Sequence, residues 1–456
     1  MPAAEVRLER VQRPGLLVPE RQPVVATDEY ERRVAELRAR VDADVILVYA
    51  DREHSANLSF LCGIDPRFEE AVLAIPRRGT PSLVLGTEGI ALAPLAAIEL
   101  EVVHCPSLGL MGQDRSVGRT LRDALTDVGV MAGARVAIVG WKYFEAGESG
   151  LETPSFAAAA FLVDAARDLA SDVVDATAAL MSPRDGLRTS SGADQIAAFE
   201  WAAARASRAV FSVLDASRGS VTEREAVSAM GYDGTPLSAH VMFASGEGVG
   251  VGLRSPTDRM LEPGDGVTVA IGYWGGLCCR AGRLDEVGAQ GAADFLERLA
   301  KPYWRAVATW WESIRLGRPG GEIHELIHDT LAGSEIRPAL NPGHLGHLDE
   351  WVHTPIRPGS TDTIRSGAVL QCDIIPAGAP PGWAANCEDT LAVADPALRD
   401  ELRARHPDLW ARIVSRRDFM QEQLGLSIAD EVLPLSAAPA YYPPLWLSAD
   451  HVLVAG

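Results

Sequence analysis

The chain has 456 residues, of which 47% are hydrophobic and 23% charged, and its formal net charge at pH 7 is −20. This length exceeds what one hydrophobic core usually serves, so the sequence predicts two domains plus a tail. The negative charge argues against nucleic acid or an anionic membrane as a partner, because both are bound by clustered Lys and Arg. No run of 18 or more apolar residues occurs, and no apolar segment follows a basic N-terminus, which favours a soluble, cytoplasmic protein.

The six cysteines show no CxxC spacing and are sparse for the length of the chain, so a disulfide framework is not expected. The pattern favours free thiols in a reducing compartment. The residues are Cys62, Cys105, Cys278, Cys279, Cys372 and Cys387.

The first part of the chain alternates short apolar runs with helical patterns. Helical periodicity begins at Glu29 in EYERRVAELRARVDA, and the runs DVILVYA and ARVAIVGW have strand length. The stretch EAVLAIPRRGTPSLVLG predicts two strands around a glycine-containing turn. Because strands that alternate with helices are typical of an α/β layer, we predict an N-terminal extension over residues 1–27 and an α/β domain over residues 28–180.

The second part of the chain begins with a polar linker and the long amphipathic helix ADQIAAFEWAAARASRAVFSVLDAS. Two hairpin patterns follow, GVTVAIGYWGGLCCRAGR and AVLQCDIIPAGAPPGWAANCEDTLAV. Antiparallel strand pairs set between helices indicate an α+β domain, here over residues 185–430. The Pro-rich, aromatic residues 431–456 predict an extended arm over the domain or over a partner subunit.

Period-2 alternation makes the two hairpins informative about side chains. Folding the second hairpin at its Pro-Pro pair sets Asp373 opposite Glu388. Two facing carboxylates repel each other unless a metal ion, a shared proton or a cationic side chain lies between them. We therefore expect a positive group near the pair of Asp373 and Glu388. Folding the first hairpin at its central glycine sets Ala270 opposite Arg280.

Taken in order, the segments LEPGD, IGYWGGL..R..R, LGH......H, AVLQCDIIP and NCEDTLAV resemble the creatinase, aminopeptidase P and prolidase superfamily. The stretch that runs from ERRVAELRARVDADVILVYA to AVLAIPRRGTPSLVL is similar to the smaller α/β domain of that family, and the resemblance covers about residues 28–425. It implies a pita-bread (creatinase-like) α+β C-terminal domain and a homodimer.

Metallopeptidases of this family hold two divalent ions with two Asp, one His and two Glu. By resemblance, the His falls on His347, the Glu positions fall on Asp373 and Glu388, and the Asp positions fall on Ala270 and Arg280. Two of five ligands are absent, so no dinuclear centre and no cofactor are expected. A single divalent metal ion on His347, Asp373 and Glu388 stays open, because one His and two carboxylates form an acceptable catalytic set. Otherwise Arg280 replaces the metal and pairs with one of the two acids.

The favoured catalytic pair is His347 with Glu388, joined by Asp373 and His353, because a neutral His beside a carboxylate suits general acid–base catalysis. By resemblance His353 corresponds to a substrate-facing histidine, although it lies one residue closer to His347 than in the family. Asp349 and Glu350 are expected to be solvated loop acids or salt-bridge partners. The residues predicted to bind substrate are Arg280, His240, Tyr273, Trp351 and His344.

The resemblance and the altered ligands together favour a metal-independent, creatinase-like hydrolase. We expect it to cleave a C–N bond in a small amide, amidine or amino-acid-derived substrate, and lyase chemistry on the same scaffold stays open. One alternative is a mononuclear metallohydrolase, and another is a non-catalytic binding protein of peptidase ancestry. The expected partners are a small-molecule substrate and a second copy of the chain.

Overall fold

The computed structural model describes residues 5–145, 147–152, 155–250 and 252–456. They divide into two units. One unit spans Val25–Arg188, and the other joins the N-terminal segment up to Val24 to Thr189–Gly456. The N-terminal strand β1 (Val6–Arg10) belongs to the second unit, since it pairs antiparallel with the last strand of the chain. Within the described residues, no helix is long and apolar enough to cross a membrane.

The unit that spans Val25–Arg188 is an α/β layer built on one six-stranded mixed sheet, in the strand order β5-β4-β3-β2-β6-β7. Its two central strands are buried along their apolar runs, and alternate residues of β2 pack with α3 and α4 in one hydrophobic cluster. The predicted helix and strands are confirmed. The elements are α1 (Thr27–Arg40), β2 (Val45–Ala50), α2 (Ala56–Cys62), β3 (Ala71–Pro76), β4 (Ser82–Leu85), β5 (Glu101–His104), α3 (Leu121–Asp127), β6 (Arg135–Val139), α4 (Ala160–Leu169), β7 (Asp172–Asp175) and α5 (Ala178–Met181).

The other unit is α+β, as predicted, and contains two four-stranded sheets, β15-β10-β9-β8 and β12-β13-β16-β17, with two-stranded pairs β11-β14 and β1-β18. Its elements are α6 (Ala193–Ala216), α7 (Glu223–Ser228), β8 (Leu237–Ser245), β9 (Gly266–Tyr273), β10 (Gly276–Arg283), α8 (Ala292–Phe295), α9 (Lys301–Ser313), α10 (Gly320–Leu331), β11 (Arg337–Pro338), β12 (His344–Leu345), β13 (Val369–Gln371), β14 (Pro376–Ala377), β15 (Asn386–Glu388), β16 (Thr390–Val393), α11 (Pro396–Arg405), α12 (Pro407–Glu422), β17 (Val432–Pro434) and β18 (His451–Ala455).

The strands β9 and β10 pair one residue out of the predicted register. Ala270 faces Cys279, and Arg280 faces Val269. The predicted pairing of Ala270 with Arg280 is therefore wrong. Because side chains alternate along a strand, a slip of one residue exchanges the two faces of β10. Cys279 takes the face that Arg280 was expected to occupy.

The glycines at this turn let α6 approach the hairpin. A Cβ atom on Gly275 would lie 1.8 Å from the Phe199 ring, and one on Gly276 would lie 2.6 Å from the Ala203 backbone. Gly275 also has a φ of 105°, in the region that side chains disfavour. The segment YWGGL therefore serves helix packing.

The second hairpin has the predicted register. Gln371 pairs with Thr390, and Leu370 pairs with Leu391. Continued past the end of β13, this register sets Asp373 against Glu388, which ends β15, and both side chains are buried. All six cysteines are buried and free, as expected.

Arg280 is fully buried and is held by the protein itself. Its guanidinium lies 2.8 Å from the Asp389 carboxylate and donates to the carbonyls of Cys279, Glu388, Ala438 and Tyr441. Burial alone would lower the pKa of Arg280, but the carboxylate outweighs burial and raises it, so the residue stays charged. The predicted pairing of Arg280 with the Asp373 or Glu388 carboxylate is wrong. Arg280 instead fixes the C-terminal segment to β10.

We expect Asp389→Asn to lower the free energy of unfolding by about 3–5 kcal/mol, because a neutral amide leaves the Arg280 guanidinium buried without a counter-charge. Chemical denaturation followed by far-UV circular dichroism measures this. The matched control is Asp400→Asn, which breaks an exposed pair with Arg403 and should change stability by less than about 1 kcal/mol. Equal effects of the two variants would contradict this role of Arg280.

Candidate active site

A cavity of about 640 Å³ opens in the α+β unit, lined by β8, β9, β10 and the segment from Asp373 to Glu388. Alternate residues of the β9–β10 hairpin form one wall, since period 2 sends every second side chain to this face. The side chains of this wall are small and mostly apolar. Its residues are Thr268, Ala270, Leu277, Cys279 and Ala281.

Three carboxylates and one imidazole meet beside this cavity, and we call His344, Glu350, Asp373 and Glu388 the acid cluster. Glu350, Asp373 and Glu388 line the cavity, whereas His344 is fully buried. The Nε2 atom of His344 lies 2.9 Å from Glu350 Oε1, 3.9 Å from Asp373 Oδ2 and 4.0 Å from Glu388 Oε1. Three of these four titratable groups are buried, and Glu350 is partly exposed.

The segment HLGHLDEWVH builds half of the cluster by folding back on itself. His344 opens β12 and pairs with Gln371 of β13, two residues before Asp373. The Leu345 amide donates to the His353 carbonyl, and the Val352 amide donates to the Leu345 carbonyl. This closed loop returns Glu350 to His344. The Trp351 ring stacks on the His344 ring, with centroids 4.1 Å apart and planes 21° apart.

Burial and mutual repulsion set the protonation of the cluster. Burial raises the pKa of Asp373 to about 6, opposed by His344 and reinforced by Glu350. Burial, with Asp373 and Glu350 next, holds the pKa of Glu388 well above its usual range. Burial alone would lower the pKa of His344, but the Glu350 and Asp373 carboxylates outweigh it and raise that pKa. These shifts favour the protonated forms of Glu388, Asp373 and His344 relative to the ordinary side chains.

The residues present do not fit the two-ion centre of the resembling peptidases. At the first missing ligand position Ala270 offers no donor atom, and the residue opposite it is Cys279. Burial raises the pKa of the Cys279 thiol well above its usual value. Among the described residues, the one group of three donors close enough to hold an ion is His344, Asp373 and Glu388. One divalent ion fits this group.

The structure changes which histidine belongs to the site. His344 joins Asp373 and Glu388, whereas the predicted ligand set named His347. The buried His347 ring lies edge-on against Phe199 of α6, with centroids 4.8 Å apart, and does not line the cavity. His353 is half-buried, and its Nδ1 accepts from the Thr354 amide at 2.8 Å. It does not line the cavity either.

The residues predicted to bind substrate divide into two groups. His240 and Trp351 line the cavity, and the His240 ring contacts the Leu253 carbonyl at 2.9 Å. Arg280 and Tyr273 do not line it. Tyr273 is buried at the end of β9, where the Arg205 guanidinium lies 4.7 Å from its ring centroid.

Sequence reasoning missed the importance of Glu350, which it treated as a loop acid or salt-bridge partner. No periodicity marks a residue in an irregular loop, so pattern analysis had no signal for it. His344 did carry one signal. Its cross-strand partner Gln371 shares a strand face with Asp373, but a two-residue strand such as β12 is too short to recognise from sequence.

Comparison with known proteins gives the fold. No protein-family model and no curated protein matches the chain. Dipeptidase PepE from Mycobacterium ulcerans is 21% identical, with 81% of this chain and 94% of that chain covered at a TM-score of 0.58. Prolidase from Thermococcus sibiricus is 15% identical, with 90% and 97% covered at 0.62. Xaa-Pro dipeptidase from Bacillus anthracis is 16% identical, with 80% and 95% covered at 0.60. The chain has the fold of these peptidases, and the predicted α/β plus pita-bread architecture is confirmed.

We expect Asp373→Asn to stabilise the protein near neutral pH. The pKa of Asp373 is about 6 in the folded protein against 3.8 for the ordinary side chain. The folded state therefore binds this proton more tightly, and the stability gained from it is lost as the pH rises through about 6. At about pH 8 the variant should gain about 1–3 kcal/mol, and the gain should shrink as the pH falls from about 6 to 4.

Urea denaturation across this pH range, in the presence of a chelator, measures the effect. Asp418→Asn on the exposed side of α12 is the matched control, for which no pH-dependent gain is expected. A gain that grows as the pH falls would contradict the raised pKa of Asp373.

Proposed function

We propose that this chain is a hydrolase that cleaves a C–N bond in a small, largely apolar substrate, with Glu350 as the group that exchanges protons with the substrate or its water. One observation carries the proposal. Glu350 faces the cavity while its Oε1 lies 2.9 Å from the buried His344 Nε2. A carboxylate that touches both the cavity and an imidazole has the arrangement that general acid–base catalysis requires.

The cluster supplies both proton-transfer roles of an amide or amidine hydrolysis. The Glu350 carboxylate takes a proton from water, whose oxygen bonds to the carbon of the C–N bond. His344 is a positioning residue that keeps Glu350 in place and stabilises its charge. The neutral carboxyl of Glu388 gives its proton to the departing nitrogen as the C–N bond breaks. Burial raises the pKa of Glu388 well above its usual range, which favours the protonated form that this donor role needs.

A second candidate is a hydrolase with one divalent ion on His344, Asp373 and Glu388. It is favoured by the donor atoms of these residues, which lie within 4.8 Å of one another, and by the buried Oδ1 of Asp373, which receives no hydrogen bond from the described residues. When bound, such an ion would activate water and polarise the bond to be cleaved. Glu350 would keep its role as the proton acceptor.

We expect Glu350→Gln to lower turnover by about 10²–10⁴-fold, since the amide keeps the size of the side chain but cannot accept the proton. Amine release from a panel of small amides and amidines, detected with an amine-reactive fluorophore, gives the rates. Glu422→Gln at the exposed end of α12 is the matched control and should retain full turnover.

Unchanged turnover in Glu350→Gln would contradict the proposed role of Glu350. Absence of turnover in the native protein across the panel would favour a binding protein instead. Reaction in ¹⁸O-labelled water separates hydrolysis from elimination, because hydrolysis transfers one labelled oxygen to the carbonyl product.

We expect turnover to persist after exhaustive dialysis against EDTA, because the proposed proton transfers use only the side chains of Glu350 and Glu388. Metal content measured by mass spectrometry on the same samples accompanies the rates. Loss of turnover on dialysis, with recovery on addition of about one equivalent of Zn²⁺ or Mn²⁺, would favour the second candidate. In that case His344→Gln should lose the bound metal.

A further inference from the structure

The cavity is lined by acidic side chains. Four acidic residues line it, and no Lys or Arg does so among the described residues. Three of the acids belong to the cluster, and the fourth is Glu247 in the segment after β8. A cavity of this kind repels anions and attracts cations.

Three arginines of the α+β unit are held by other acids. Arg254 pairs with the fully buried Glu223 at 2.5 Å, and Arg259 pairs with Asp265 at 2.5 Å. Arg280 is on the opposite face of β10, with Asp389. None of these arginines lines the cavity to bind a carboxylate.

Asp373 supplies a second and independent observation. Its side chain is 8% exposed, it lines the cavity, and its Oδ1 atom receives no hydrogen bond from the described residues. A buried carboxylate oxygen without a donor is costly, and a ligand that brings an N–H group would remove that cost.

The rest of the lining suits an apolar body. Met242, Leu277 and Ile375 contribute aliphatic surface, and the indoles of Trp351 and Trp383 contribute aromatic surface. Aromatic faces also attract cations, so these side chains are compatible with a positive group as well as with an apolar one. The cavity volume of about 640 Å³ suits a small molecule.

We propose that the substrate of this site is a small cation, an amidinium or ammonium group on an apolar body, bound through Asp373, and that molecules with a free carboxylate are excluded. The inference rests on the proposed function in calling the ligand a substrate. It goes further by naming the charge that the cavity selects. An amidinium is the best match, because its two parallel N–H groups can meet a carboxylate in a bidentate pair.

Three probes of nearly the same shape test this inference, namely benzamidine, benzamide and benzoate. Isothermal titration calorimetry with the protein as purified should show benzamidine binding roughly 30-fold or more tightly than benzamide, and no binding of benzoate. Asp373→Asn should reduce the preference for benzamidine over benzamide to less than about threefold. Asp418→Asn should keep the native preference.

Benzoate binding as tightly as benzamidine would overturn the inference, as would failure of benzamidine to bind at millimolar concentration. A preference for benzamidine that survives in Asp373→Asn would also overturn it. The titration is independent of turnover. If the protein prefers benzamidine but hydrolyses nothing in the panel, the cation site is supported and the proposed function is contradicted. If it hydrolyses a substrate but shows no charge preference, the proposed function is supported and the cation site is contradicted.

Discussion

The buried ion pair between Arg280 and Asp389 is the interaction on which the candidate site depends. It holds three segments together, because the same guanidinium binds the carbonyls of β10, of Glu388 and of the C-terminal segment. With Arg280 on this side of β10, alternation leaves Cys279 and Ala281 on the cavity wall. The Arg280 guanidinium therefore lies outside the cavity, whereas the neighbouring Glu388 lines it. Removal of either partner would leave a charge buried with no counter-ion, so the two residues stabilise the fold only as a pair.

Sequence reasoning succeeded where one periodicity governed a long enough strand pair. The alternation of the second hairpin correctly joined Asp373 to Glu388, and the resemblance correctly gave the fold. The prediction for Arg280 was wrong, because the face on which a strand residue lies depends on the exact length of the preceding turn. Since side chains alternate along a strand, an error of one residue places a side chain on the opposite face. Sequence reasoning failed again at His344 and His347, since the loop between β12 and His353 has no period. Glu350 could not be found at all by such reasoning, because only the closing of that loop brings it to the cluster.

The acid cluster shows the usual opposition between stability and chemistry. The buried Asp373 and Glu388 lie close to the partly exposed Glu350, and the repulsion among these carboxylates costs stability that protons and the nearby His344 offset. The same burial and repulsion raise the pKa values of Glu388 and Asp373, which lie beside the partly exposed carboxylate of Glu350. The residues at the positions of the absent metal ligands also determine the charge of the cavity wall. With a methyl group at Ala270 and a thiol at Cys279, the wall formed by β9 and β10 carries no charged side chain among its lining residues.

The turn between β9 and β10 lies against α6, where Phe199 and Ala203 leave no room for a Cβ atom. Lengthening this turn by one residue would require either a slip of β10 or a local bulge. A slip would move Arg280 into the cavity and break its ion pair with Asp389. The inserted residue would therefore form a bulge, and α6 would have to move away from the hairpin. The chemistry of the cavity wall is thus tied to the number of residues in a turn that touches no ligand. Insertions there would be selected against even though every residue lining the cavity stayed the same.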